Sequence, residues 1–227
     1  PLGRRRLGLG APLAGLGLAG VFLWSHGLDL LGLAPGEGLS GAPFRAALLA
    51  PLARTIALSG LALLLAALAL RQPHPPRGLA LLAWLCAGLS FAGSGHAVTA
   101  PPAALSTVAV AVHGLALVWW MGLLPTLLAD LRHPEAGLRL RRFSTPALGL
   151  VALLVLSGAW LTWAQSGGVL SRLTETGWGQ LLLVKLALVM GLLALAGLNR
   201  LRLTPALARG RVRPLARSVR AEILLGL

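Results

Sequence analysis

The sequence predicts an all-α protein: a polytopic transmembrane helix bundle with six full spans, the start of a truncated seventh, and a cytoplasmic N-terminus. Three observations predict it. First, 56% of the 227 residues are hydrophobic and only 11% are charged, with a mean hydropathy of +0.81. A soluble domain is nearer a quarter charged, and a fold of this size could not hide so much apolar surface from water. Second, the apolar residues fall into runs close to the ~20 residues that a helix needs to cross a bilayer. Third, the arginines sit in short clusters between those runs. The same composition excludes disorder. A lone cysteine, Cys86, excludes an internal disulfide framework and a cysteine-based zinc site.

The six spans are expected at 8–28, 46–70, 78–97, 104–129, 145–165 and 179–199. The first is too long, and too poorly ended by small residues, for a signal peptide. Its Ala11, Gly15 and Ala19 repeat every four positions, a spacing that suits close helix packing. Residues Ala221 to Leu227 read as the opening of a seventh run, and with Pro1 in place of a methionine the chain reads as a fragment cut inside its final helix. The whole chain, 1–227, is expected to be one integral membrane domain. The longest loops are expected at 26–45 and 200–217.

Orientation follows from arginine asymmetry across short loops. Arg4, Arg5 and Arg6 precede the first span. Arg71 and Arg77 lie between the second and third. Arg132, Arg139, Arg141 and Arg142 lie between the fourth and fifth. Arg200, Arg202, Arg209, Arg211, Arg213, Arg217 and Arg220 follow the sixth. These sixteen share one side, against Arg45 and Arg172 on the other. Trp24, Trp160, Trp163 and Trp178 fall at the outer ends of spans, as an interfacial belt does. The net charge of +14 therefore sets topology. It implies membrane lipid, with anionic headgroups, as partner and no nucleic acid. The expected location is a bacterial inner membrane.

Ionisable groups within spans are costly, at least ~2.5 kcal/mol each on insertion scales, and face protein or water. His26 ends span one, with Asp29 three residues on. His96 ends span three. His113 lies nine residues into span four, about 14 Å from its outer end. Arg54 and Lys185 sit in the outer halves of spans two and six, and Glu222 opens the seventh run. Three imidazoles at one depth suit a copper, zinc or haem iron. His26, His96 and His113 are the expected metal ligands. Met121 and Met190, deeper, are secondary candidates because thioethers favour Cu(I). Arg54, Lys185 and Glu222 are intramembrane polar groups of unassigned role. His74 and His133 read as loop residues. No phosphate loop, Gly-x-Ser-x-Gly elbow, His-Glu-x-x-His or close carboxylate pair is present, so the chain reads as non-enzymatic.

Several short motifs resemble the bacterial copper-resistance protein D (CopD) family. They are Gly95-His96-Ala97, His113 followed by Trp120-Met121-Gly122, Arg142-Phe143-Ser144 with Gly158, and Thr176-Gly177-Trp178-Gly179 leading to Lys185. Asn199-Arg200 with Pro205, and Ser218-Val219-Arg220-Ala221-Glu222, complete the set. Leu123 stands where the family has a glycine and Trp178 where it has tyrosine. The resemblance runs from about residue 90, with a core region at 142–227. It implies a membrane protein that moves copper from periplasm to cytoplasm, and a periplasmic copper-binding partner of the CopC type. A haem-binding, b-type electron-transfer protein is the alternative, with histidines as axial ligands and Arg54 or Lys185 on propionates. A non-catalytic membrane scaffold is the third reading.

Overall fold

The computed structural model describes residues 2–36, 38, 40–131, 136–169, 171–207 and 212–226. Within these ranges, the side chains of 2–8, 96, 97, 130, 136–139, 141–145, 206 and 207 lie outside the description. Of the residues named above, Pro1, Arg132, His133, Arg209, Arg211 and Leu227 lie outside the described residues. So do the side chains of Arg4, Arg5, Arg6, His96, Arg139, Arg141, Arg142, Phe143 and Ser144.

Among the described residues all regular structure is helical. The helices are α1 (Leu2–Leu31), α2 (Ala42–Leu49), α3 (Leu52–Arg71), α4 (Arg77–Ser90), α5 (His96–Thr99), α6 (Ala103–Asp130), α7 (Ala136–Gln165), α8 (Arg172–Glu175), α9 (Gly177–Leu198), α10 (Thr204–Leu207) and α11 (Val212–Gly226). A π-helical stretch, Asn199–Leu203, joins α9 to α10. Among the described residues, five helical segments are long and apolar enough to cross a membrane: Leu9–Leu31, Leu52–Arg71, Ala103–Ala129, Pro146–Gln165 and Gly177–Leu203.

Three expectations need correction. The predicted span 46–70 is broken at Ala50–Pro51, so the crossing-length helix starts at Leu52. Pro51 lacks an N–H, and its ring excludes the α conformation from the residue before it; Ala50 is accordingly extended. The predicted span 78–97 is a helix of only 14 residues that stops at Ser90. At 1.5 Å per residue it covers about 21 Å, short of the ~30 Å hydrocarbon thickness. Gly93, Ser94 and Gly95 follow, and Gly95 takes φ +109°, a left-handed conformation closed to a helix. The predicted loop 200–217 is largely helical: the π stretch and α10 fill 199–207, and α11 begins at Val212 rather than at Ala221.

The chain divides into two compact units, Pro1–Leu115 and Ala116–Leu227. In the first, α1 packs on α2 and α3, and α3 packs on α4. The small face of α1 takes part at Gly15, which lies against Leu63 of α3. Trp24 Nε1 donates to the Gly38 carbonyl at 2.9 Å and ties the C-terminal part of α1 to the loop beyond it. In the second unit, Leu124 and Leu131 of α6 pack with Leu215 and Val219 of α11. The buried positions Leu215, Ser218, Val219 and Glu222 recur every three or four residues, so α11 is amphipathic. Its Arg213, Arg217 and Arg220 are exposed.

Candidate metal site

One end of the first unit is organised by the turn between α4 and α5. Ser90 Oγ returns a hydrogen bond to the Ala87 carbonyl, and Gly88 packs directly on Leu115 of α6. Trp84 Nε1 donates to the Leu115 carbonyl at 3.0 Å, fixing the level of α4 on α6. The backbone of Gly114 lies against Gly88 and the Phe91 ring. Beyond the turn, the Val98 carbonyl of α5 lies 3.4 Å from Thr107 Oγ1, whose hydroxyl is shared with the Ala103 carbonyl at 2.8 Å.

Phe91 and Val98 therefore touch α6 at Gly114 and Thr107, two levels about 10 Å apart along the helix axis. His113 lies between those levels, and His96 lies between Phe91 and Val98 in sequence. Gly95 supplies the conformation from which α5 starts. On its other side the turn is held by α3. Gly93 is in contact with the Thr55 backbone, and Thr55 Oγ1 shares a 2.8 Å hydrogen bond with Ser94 Oγ. Arg54 precedes Thr55 and its side chain is exposed.

The backbone thus brings the segment bearing His96 alongside the stretch of α6 bearing His113. The His113 side chain is half-buried and engaged in an interaction. His26 is half-buried on α1, and its neighbour Gly27 is pressed on Pro43 of α2. Among the described residues no cluster of three His, Cys, Asp or Glu side chains forms; the His96 imidazole lies outside that description.

The second unit holds the remaining candidates. Met121 is half-buried against the α6–α11 core, with its sulfur beside Gly226. Met190 and Lys185 are exposed on α9. Thr176 caps α9, its Oγ1 accepting from the Gly179 N–H at 3.0 Å, which gives the Thr-Gly-Trp-Gly motif a structural role as a helix start. Glu222 is only 3% exposed, and its Oε1 accepts a hydrogen bond from Asn199 Nδ2. Glu222 lies outside the five crossing helices. Burial raises its carboxyl from 4.5 to about 7, and the bond from Asn199 opposes that rise. The Ser-Val-Arg-Ala-Glu spacing puts Ser218 and Glu222 one turn apart on the buried face of α11, but carries no signal for the partner Asn199.

Comparison with known proteins bears on the second unit. Residues 137–227 match the family described as Copper resistance protein D. The match includes Lys185, Met190, Asn199 and Glu222; His26, His96, His113 and Met121 precede it. No curated protein and no solved structure matches the chain. Over residues 137–227, then, the chain is similar to the copper resistance protein D family.

Proposed function

We propose that this membrane protein moves copper from the periplasm across the inner membrane, with His96 and His113 as paired ligands at the outer side. His26 is an additional ligand nearer the surface. The arginine asymmetry supports a cytoplasmic N-terminus, and in this reading α4 with the turn after it takes the place of a sixth crossing. The observation that carries the reading is the bracketing of His113 by the contacts of Phe91 and Val98.

Physical chemistry supports a pathway there. In a crossing α6, the first ten residues descend about 15 Å. The segment 91–102, mostly outside regular helix, lies beside them. Backbone of that kind is tolerated at membrane depth only where protein buries it or it lines a water-filled cavity. A wet cleft with imidazoles at its base suits a copper ion shedding its water stepwise. Copper is cargo in this account, and the protein acts as a permease rather than an enzyme. A periplasmic copper-binding protein would deliver it.

The test is copper accumulation in cells expressing His113→Ala at the abundance of the parent protein. The reading expects accumulation to be lost; accumulation equal to the parent's would overturn it. A Soret band in protein purified from haem-replete cells would replace copper by haem as the ligand of these histidines.

A further inference from the structure

The buried polar cluster between α11 and the end of α9 has no part in the copper pathway proposed above. Ser218 and Glu222 lie one turn apart on the face of α11 that is buried. Asn199 opens the π-helical stretch that follows α9, and α11 packs against both. Such π stretches in α-helical segments are frequent at functional sites. Glu222 Oε1 meets Asn199 Nδ2. Two further atoms, Asn199 Oδ1 and Ser218 Oγ, are buried with no hydrogen-bond partner among the described residues. Buried orphan polar atoms cost about 1–3 kcal/mol each and call for an explanation.

We propose that Asn199, Ser218 and Glu222 form a proton-binding site, in which Glu222 is held as the neutral acid and its hydroxyl donates to Asn199 Oδ1 or Ser218 Oγ. The donor inventory argues for this. An ionised carboxylate only accepts: it can take the Ser218 hydroxyl proton, but it cannot satisfy Asn199 Oδ1, which needs a donor. A protonated one brings a donor, and an acid facing an amide can pair with both ends of it. The reverse placement of the amide, with Oδ1 against Oε1, also requires a proton between the two oxygens.

Among the described residues, no charged group enters the influences on the Glu222 carboxyl. The charged groups on the elements packed against α11 include Lys185 of α9, Arg200 and Arg202 of the π stretch, Asp130 of α6, and Arg139, Arg141 and Arg142 of α7. On its own helix they are Arg213, Arg217 and Arg220. Lys185, Arg200, Arg202, Arg213, Arg217 and Arg220 are exposed, Arg200 being engaged in an interaction of its own, and the side chains of Asp130, Arg139, Arg141 and Arg142 lie outside the described residues. Burial and the Asn199 bond are the influences on the carboxyl. A copper ion fits the cluster poorly, because its donors are hard oxygens with neither imidazole nor sulfur. On deprotonation the O–H bond of Glu222 breaks, the proton passes to water, and the anion keeps the Asn199 N–H. The site rests on the C-terminal unit alone and stands or falls independently of the copper reading.

The experiment is infrared titration of the full chain in lipid nanodiscs, with glutamate carboxyl carbons 13C-labelled to separate them from aspartate. A protonated-carboxyl stretching band is expected in mild acid and is expected to vanish as pH rises through about 7. Glu222→Gln should remove that band, and Asn199→Leu should shift its midpoint. A labelled band that titrates only in the ordinary glutamate range near 4.5 overturns the proposal, and this reading needs no variant to fold. Loss of the band on adding sodium at fixed acid pH overturns it in favour of a metal-cation site.

Discussion

Thr55 Oγ1 and Ser94 Oγ share a 2.8 Å hydrogen bond across 39 residues of sequence, joining the first turn of α3 to the loop just ahead of His96. The bond fixes the loop from the side opposite α6. Thr55→Val keeps the shape and removes the hydroxyl. A hydrogen bond of this kind contributes about 0.5–1.5 kcal/mol net. The variant should lower the unfolding temperature modestly in detergent and weaken copper binding. Thr55→Val combined with Ser94→Ala should cost little more than either change alone, since both remove one bond. Additive losses would show that the two hydroxyls act separately.

Gly95 offers a sharper perturbation. Its φ of +109° is a conformation essentially reserved for glycine, and a side chain there costs about 1–3 kcal/mol. Nothing lies within 4 Å of the Cβ that alanine would add, so the penalty is conformational rather than steric. Gly95→Ala should destabilise the turn and reduce copper accumulation at equal abundance. Gly36, exposed in the loop after α1 with open space around it, is the matched control, and Gly36→Ala should leave both measurements near those of the parent.

In the second unit, Leu215 is 1% exposed at the centre of the α6–α11 contact. Leu215→Ala leaves a cavity and should cost about 2–5 kcal/mol. The readout is proteolysis after the arginines of α11, which should quicken in the variant. Arg217→Gln, on the exposed face, should leave folding unchanged and slightly weaken association of the helix with anionic vesicles.

Glu222 gives the account a pH dependence of defined sign. Its carboxyl is raised from 4.5 to about 7 by burial. The folded state therefore holds a proton more tightly than the unfolded state does. Stability from this group is complete below 4.5 and is lost as pH rises through about 7. Thermal melts of the chain should fall across that window, and Glu222→Gln, permanently neutral, should flatten the slope. A parent protein whose melting temperature rises between those pH values would refute the assignment.

Much of the helical layout was legible in the sequence because lipid imposes a simple rule: a run of about 20 apolar residues satisfies its own backbone. Five of the expected runs emerge as crossing-length helices. Composition misled where single residues overrule hydropathy. Ala50-Pro51 and Gly93-Ser94-Gly95 are as apolar or small as their neighbours, so a sliding average passes over them, yet each ends a helix. The arginines of 200–217 read as a solvated loop because their sum hides the period. Placed on a helix, Leu215, Val219 and Glu222 share one face and Arg213, Arg217 and Arg220 occupy others. Depth arguments set His96 and His113 at one level; the structure shows only that chain neighbours of His96 touch α6 at Thr107 and Gly114. The pairing of Asn199 with Glu222 was beyond reach, because it depends on how a π-helical turn meets a helix 23 residues away.

The central claim is a copper site shared by the α4–α5 turn and α6. It is tested most directly by measuring copper binding to the purified full chain in nanodiscs, for the parent, His96→Ala, His113→Ala and the double variant. The account predicts that each single change weakens binding by at least about tenfold, by analogy with the loss of lesser metal-site partners. It also predicts that the double variant loses little beyond that. Copper bound with parental affinity by both single variants, at equal folding, would contradict it.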